Sequence, residues 1–262
     1  MWKNVSLVLF ILVSINLIGC PSQDSARLKK KPSLVSEEVK KALQGTGSVF
    51  GVVKFEGEKP KLPKIMMDKE CKSRHTNIVS DEKLVLGEGN TVANVFIFVK
   101  SGLPQGVYPI PEAPVVLNQQ GCMYTPHVFG MVAGQQLKVL NSDGILHNVH
   151  VLSKANEEQN VGMPGDLKET TLIFTQAEAM FTVKCDVHPW MTCYAGVMAH
   201  PYFAVSGADG KFAIEKLQPG TYEIEIWHEM GEQIELQPGK SITVTLAEGE
   251  KKELKFAVSL KK

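Results

Sequence analysis

From residue 47 onward, apolar positions recur in short runs separated by Gly, Asn, Asp and Pro, and within the runs the period is that of strands. Residues 48–55 are β-branched and aromatic, and 91–99 are apolar enough to be buried on both faces. Further strands are predicted over 115–117, 127–132, 136–140, 148–152, 170–174, 179–184 and 194–198. Residues 58–90 are turn-rich and poorly periodic, and Pro104, Pro109, Pro111 and Pro114 mark an irregular connection. No long helical period interrupts this region. Short strands at such spacing imply an all-β chain folded as a sandwich or barrel.

After His200-Pro201 the texture changes. Strands are predicted over 202–205, 211–214, 221–227, 241–246 and 253–258, with Tyr222, Ile224 and Ile226 alternating with glutamates as one buried face requires. Asp209-Gly210 predicts a hairpin between the first two. The expectation is a second, small β-unit of about sixty residues at 202–262, following a first unit at 47–201 whose portion 47–114 supplies outer strands.

The N-terminal end reads differently. A short basic start, Met1-Trp2-Lys3-Asn4, precedes an apolar run from Val5 to Ile18 with the layout of an export signal. It ends in Leu17-Ile18-Gly19-Cys20, which resembles the bacterial lipobox. That resemblance implies removal of residues 1–19 and lipidation of Cys20, hence a chain anchored in the bacterial cell envelope on the periplasmic or another extracytoplasmic face. Residues 20–46 then read as a tether carrying a short linker helix over 36–43, with Ser36 as N-cap and Gly45 as stop.

Composition adds little beyond exclusions. With 44% hydrophobic and 21% charged residues the chain can bury a core. Its 28 basic and 28 acidic side chains create no field that calls for nucleic acid.

The chemistry concentrates in two short stretches. Cys185-Asp186-Val187-His188-Pro189-Trp190-Met191 sets a thiol, an imidazole and a thioether within seven residues. Upstream, Asn141-Ser142-Asp143-Gly144-Ile145-Leu146-His147-Asn148-Val149-His150 offers a further imidazole at a strand edge. Two His, one Cys and a weakly bound Met form the ligand set of a blue-copper electron-transfer site. His147 is preferred over His150, because residues three apart in a strand face opposite ways. Asn148 is positioned to fix the ligand loop by a hydrogen bond across it.

The loop resembles that of the cupredoxins, nearest to the short Cys-x2-His-Pro-aromatic-Met form of amicyanin, and His147-Asn148-Val149 is similar to the family's upstream ligand segment. The resemblance covers roughly 115–200 and implies a cupredoxin-like Greek-key β-sandwich holding one type 1 copper through His147, Cys185, His188 and Met191. It further implies an electron carrier that exchanges single electrons with a redox protein such as a cytochrome or dehydrogenase; an oxidoreductase role would need a second, catalytic copper site, for which the sequence offers scattered histidines. His188, with apolar Trp190 and Met191 beside it, would be the exposed exit and docking patch. Residues 202–262 resemble the carboxypeptidase regulatory-like, transthyretin-type β-sandwich.

Other cysteines and histidines remain. Cys71 and Cys122 are expected to form a disulfide tying 58–90 to the sandwich, while Cys193 is free, competes for the metal or bridges to Cys185. His75, His127, His200 and His228 are the candidates for a second metal site. The chain lacks a Cys-x-x-Cys-His haem motif, a zincin motif, a P-loop and a nucleophile elbow. Two rivals stand beside the electron carrier. One is a copper-binding or delivery protein, which would need Met163, Met180 and Met198 near the site; the other is a metal-free envelope scaffold with Cys185 bridged to Cys193.

Overall fold

The computed structural model describes residues 35–261. The expected signal sequence, Cys20 and most of the tether lie outside the described residues. Strands β1 (Gly47–Phe55) and β2 (Phe96–Ser101) come first. Nine follow: β3 (Val115–Gln120), β4 (Met123–Thr125), β5 (Val128–Val132), β6 (Gln136–Asn141), β7 (His147–Leu152), β8 (Gln159–Met163), β9 (Glu169–Ile173), β10 (Glu178–Lys184) and β11 (Thr192–Met198). The last six are β12 (Phe203–Val205), β13 (Lys211–Leu217), β14 (Gly220–Trp227), β15 (Ile234–Gln237), β16 (Ser241–Leu246) and β17 (Lys251–Leu260). The helices α1 (Glu37–Ala42) and α2 (Lys69–Lys72) are short. The chain is all-β, as its patterning requires.

The strands β3–β11 make one sandwich, with sheet orders β4-β3-β6-β9 and β5-β11-β10-β7-β8. The chain crosses between these sheets after β4, β5, β6, β8 and β9, so consecutive strands supply both walls of one core. That core contains Leu117, Tyr124, Leu137, Val139, Val149, Val151 and Phe174, together with Cys185, Met191 and Cys193.

The second sandwich departs from expectation. Its sheets run β13-β1-β17-β15 and β12-β2-β14-β16, so β1 and β2, expected as outer strands of the first unit, are central strands here. β1 pairs antiparallel with β13 and parallel with β17, while β2 pairs with β12 and β14. The boundary at 201/202 therefore does not follow the sheets. Residues 202–262 lack two strands needed to close their core, and 47–55 and 96–101 supply them. The buried alternation of β1 and the fully apolar start of β2 suit central strands with neighbours on both edges. The first sandwich is in effect an insertion between β2 and β12.

Two smaller expectations change with it. Asp209-Gly210 does form a tight turn, with Gly207 N donating to the Lys211 carbonyl, but it carries the chain from one sheet to the other instead of closing a hairpin. Gly210, at φ +69°, approaches the Val53 carbonyl so closely that a Cβ would stand 2.6 Å from its oxygen. α1 has the predicted N-cap, Ser36 Oγ accepting from Val39 N. It is not a free linker, because Val39 is wholly buried in the second core and the Ala42 carbonyl accepts from Tyr202 Oη at 2.8 Å.

The sandwiches meet through Phe96, Phe98, Val128 and Met198, with Phe203 and Trp227 packed against them. Gly130 and Gly196 are opposite partners in the β5–β11 pair and leave a flat floor for the Phe96 and Phe203 rings, stacked at 5.6 Å.

Candidate metal centre

β6 ends at Asn141, and this side chain shapes the next loop. Its Oδ1 accepts from the backbone N–H groups of Asp143 and Gly144, and its Nδ2 donates to the carbonyls of Ile145 and Met163. The turn is an Asx-type fold that needs no strand partner. Gly144 supplies the left-handed residue it requires, at φ +70°. The loop thereby delivers Asp143 and His147 to the same side of the sandwich. Along β7, His147, Val149 and Val151 face the core, while His150 faces outward and bonds to Asp186 and Glu158. The preference for His147 over His150 follows from this alternation.

β10 brings in Cys185 at its end. The loop folds back through two hydrogen bonds, Cys185 N to the Met191 carbonyl and Met191 N to the His188 carbonyl, both 2.9 Å. Asn148 closes it from β7: its Oδ1 accepts from Asp186 N at 2.7 Å and its Nδ2 donates to Asp186 Oδ2 at 3.0 Å. Lys184 leads the groups that hold the Asp186 carboxyl well below the usual range, followed by Asn160, Asn148 and His150, which together outweigh its partial desolvation.

Three donor atoms converge. His147, Cys185 and His188 are all buried, with ligand atoms within 4.8 Å of one another. The two Nδ1 atoms are 3.0 Å apart, and Cys185 Sγ is 3.7 Å from His188 Nδ1. Nitrogen and sulfur donors bonded to one tetrahedral ion at about 2.0–2.3 Å stand roughly 3.3–3.8 Å apart, so the sulfur–nitrogen separation fits a single ion and the two nitrogens would part by a few tenths of an ångström to share it. Met191 is wholly buried in the same core cluster as Cys185.

The imidazoles are held from behind. His147 Nε2 donates to Asp143 Oδ2 at 2.9 Å, which leaves Nδ1 as the free lone pair. Burial pushes the Asp143 carboxyl up, but bonds from Cys122 N, His147 and Gly121 N more than offset it and hold it below the ordinary range. His188 Nε2 faces Asp68 Oδ2 at 3.7 Å. Burial and the adjacent His147 push the His188 imidazole down, which favours the neutral ring a metal needs.

The expected exposure of His188 is not found. It is 5% exposed, and Met191 is 0% exposed. The covering comes from 58–90, the stretch with no strand pattern: Asp68 caps α2 by accepting from Cys71 N, and Cys71 forms the expected disulfide with Cys122. The sulfurs of this bridge lie within 4.8 Å of the His188 ligand nitrogen, but joined to each other they offer no thiolate to a metal. Trp190 Nε1 donates to the Cys122 carbonyl, so the predicted docking aromatic is itself part of the lid.

The other candidates separate. Cys193 is free and buried, its thiol pushed well up by burial, and it is not bridged to Cys185. Among the described residues, no converging group of three or more His, Cys, Asp or Glu donors contains His75, His127, His200 or His228. His75 bonds to the Gly121 carbonyl and His200 packs against Tyr108 and Tyr202, so the four do not form one site. Met163 lies opposite His147, but its sulfur accepts from Gln119; Met180 and Met198 belong to the junction between the sandwiches. Residue patterning missed Asp143, Asp68 and the lid. A carboxylate four residues before His147, in an Asn-Ser-Asp-Gly turn, was the one signal available.

Together the fold and site define a class: an all-β chain of two interlocked sandwiches with a buried His2Cys donor cluster at one end of the inserted one. No protein-family model matches the chain, and no curated protein matches it. Among solved structures it is similar to a Cu-containing nitrite reductase (NirK) from Thermus scotoductus SA-01, at 17% identity and TM-score 0.31, over 37% of this chain and 25% of that one. It is also similar to a mutant amicyanin in its Cu(I) form, at 19% identity and TM-score 0.29, over 39% of this chain and 98% of that one. A purple cupredoxin from Nitrosopumilus maritimus matches at 14% identity and TM-score 0.28, over 32% of this chain and 99% of that one. The chain thus spans about a quarter of the nitrite reductase.

Proposed function

We propose that this chain is an exported, lipid-anchored type 1 copper protein that carries single electrons in the bacterial cell envelope, with a redox protein such as a cytochrome or dehydrogenase as partner. The observation that carries the reading is the convergence of His147 Nδ1, Cys185 Sγ and His188 Nδ1 in a buried pocket. Copper bound there would supply a one-electron couple. Cys185 offers the soft thiolate, the two imidazoles complete a trigonal set, and Met191 is the candidate for a weak axial contact. Asp143 holds the His147 tautomer, and Asn148 with Asp186 fixes the loop that carries the other three residues. A preset cage of this kind needs little rearrangement when charge changes at its centre.

The lid refines the expectation for docking. A partner meets the exposed side of α2 and the partly exposed Trp190, the disulfide being wholly buried, with the Trp190 ring 5.3 Å from that of His188. A closed lid also supports retention of metal over delivery, and two of the three methionines a delivery site would recruit lie in the junction. The free state of Cys185 and Cys193 speaks against the scaffold reading.

The test is a Cu(II) titration of residues 21–262 followed by visible and EPR spectra. An intense blue absorption with a narrow copper hyperfine splitting, absent in Cys185→Ser and kept in His150→Ala, is expected. A colourless protein that retains no copper would overturn the reading.

A further inference from the structure

Beneath the ligand loop lies a second polar cavity of about 300 Å³, lined by Asp81, Glu82, His127, Trp190, Tyr194 and Glu229 among others. His127 is 8% exposed, and its two ring nitrogens have different surroundings. Nε2 sits 2.5 Å from Glu229 Oε1, whose side chain is itself buried. Nδ1 faces Glu82 Oε2 at 3.5 Å, and both atoms are buried without a hydrogen-bond partner.

If Nε2–H donates to Glu229, then Nδ1 is a lone pair pointing at a carboxylate oxygen. Two buried acceptors facing each other are unfavourable, and the contact is relieved either by a second proton on the ring, which burial opposes but Glu229 and Glu82 favour, or by a metal ion between the two atoms. Their separation is informative, because two donors bonded at about 2.1 Å to one tetrahedral ion stand roughly 3.4 Å apart. A carboxylate behind the far nitrogen of the imidazole is also the usual support of a metal-bound histidine. The charges point the same way. Asp81, Glu82 and Glu229 line the cavity against one lysine, Lys83, which pairs with Asp81 at 3.8 Å. The neighbouring His228 is held neutral near pH 7, burial pulling its pKa down to about 4, so it adds no positive charge.

We propose that His127 Nδ1 and Glu82 Oε2 bind a divalent cation of the zinc class, with Glu229 orienting the imidazole and water from the cavity completing the coordination. A mixed nitrogen and oxygen donor pair suits zinc over the soft Cu(I) or the hard calcium and magnesium ions. The site is independent of the His147–Cys185–His188 cluster, although Pro189 and Trp190 of that cluster's loop line the same cavity.

The experiment is a Zn(II) titration of the copper-loaded full chain at pH 8, where protons compete least, with bound metals counted after desalting. A Cys185→Ser, His147→Ala chain run in parallel frees the result from the copper reading. One zinc per chain is expected in both. His127→Ala and the milder Glu82→Gln each weaken zinc binding at least about tenfold, and Glu229→Gln about 10–100-fold, with the circular dichroism spectrum unchanged. Absence of bound zinc would overturn the proposal and leave His127 as an imidazolium between two carboxylates. Zinc binding indifferent to both His127→Ala and Glu82→Gln would overturn it equally, by locating the ion elsewhere.

Discussion

Asp143 Oδ2 accepts the Nε2–H of His147 at 2.9 Å while the same carboxylate receives the backbone N–H groups of Gly121 and Cys122. One side chain thus joins a candidate ligand, His147, to the turn that carries the disulfide. Asp143→Asn keeps the shape but weakens both roles. Its Cu(II) affinity is expected to fall about 10–100-fold, read by competition with a chelator, with the fold retained. An unchanged affinity would show that the loop orients His147 without the carboxylate.

The disulfide closes the lid over His188. Cys71 and Cys122 are 51 residues apart, and a loop of that length corresponds to at most about 4 kcal/mol of chain-entropy stabilisation. The double variant Cys71→Ser, Cys122→Ser should lower stability to chemical denaturation by up to that amount. Its His188 should also become reactive to an imidazole-modifying reagent that leaves the parent untouched. Continued protection would mean that Asp68 and Trp190 hold the lid without the bridge.

The junction between the sandwiches depends on a missing side chain. A Cβ at Gly130 would stand 2.4 Å from the Phe203 ring and 2.7 Å from Phe96. Gly130→Val is therefore expected to cost about 1–3 kcal/mol of unfolding free energy by overpacking. Wild-type stability in denaturant titration would show that the rings can swing aside.

Acid sensitivity should arise at His228. Burial pulls its folded pKa to about 4, below the ordinary value near 6.5, with His127 adding to the effect and Glu229 opposing it. Below pH 6.5 the unfolded chain takes a proton that the folded chain refuses, so stability falls as pH drops towards 4 and the contribution levels off beneath it. The full loss is of the order of 3 kcal/mol. His228→Gln should flatten that part of the stability profile, and an unchanged slope would assign it to other groups.

Much of this architecture is legible in the order of residues. Alternation exposes most strands, and spacing points to Cys185, His188 and His147, whose donor atoms converge, because a tight loop and a strand face constrain neighbours in sequence. Asn148 is also identifiable, since it sits beside His147. What escapes is long-range. Nothing local in 48–55 or 91–99 says which of two sandwiches they join, because a strand buried on both faces fits the middle of either sheet.

By itself, then, the sequence determined that the chain is all-β, which side chains of the Cys185–Met191 loop lie close together, and which face of β7 meets the core. These depend on dihedral preference and on the two-residue period, both of which act over a few positions. Only the tertiary structure decided that β1 and β2 complete the later sandwich, that 58–90 folds over His188, and that Glu82 and Glu229 flank His127. Those arrangements come from closing chain segments tens to hundreds of residues apart around shared cores, and no local periodicity records which segments will meet.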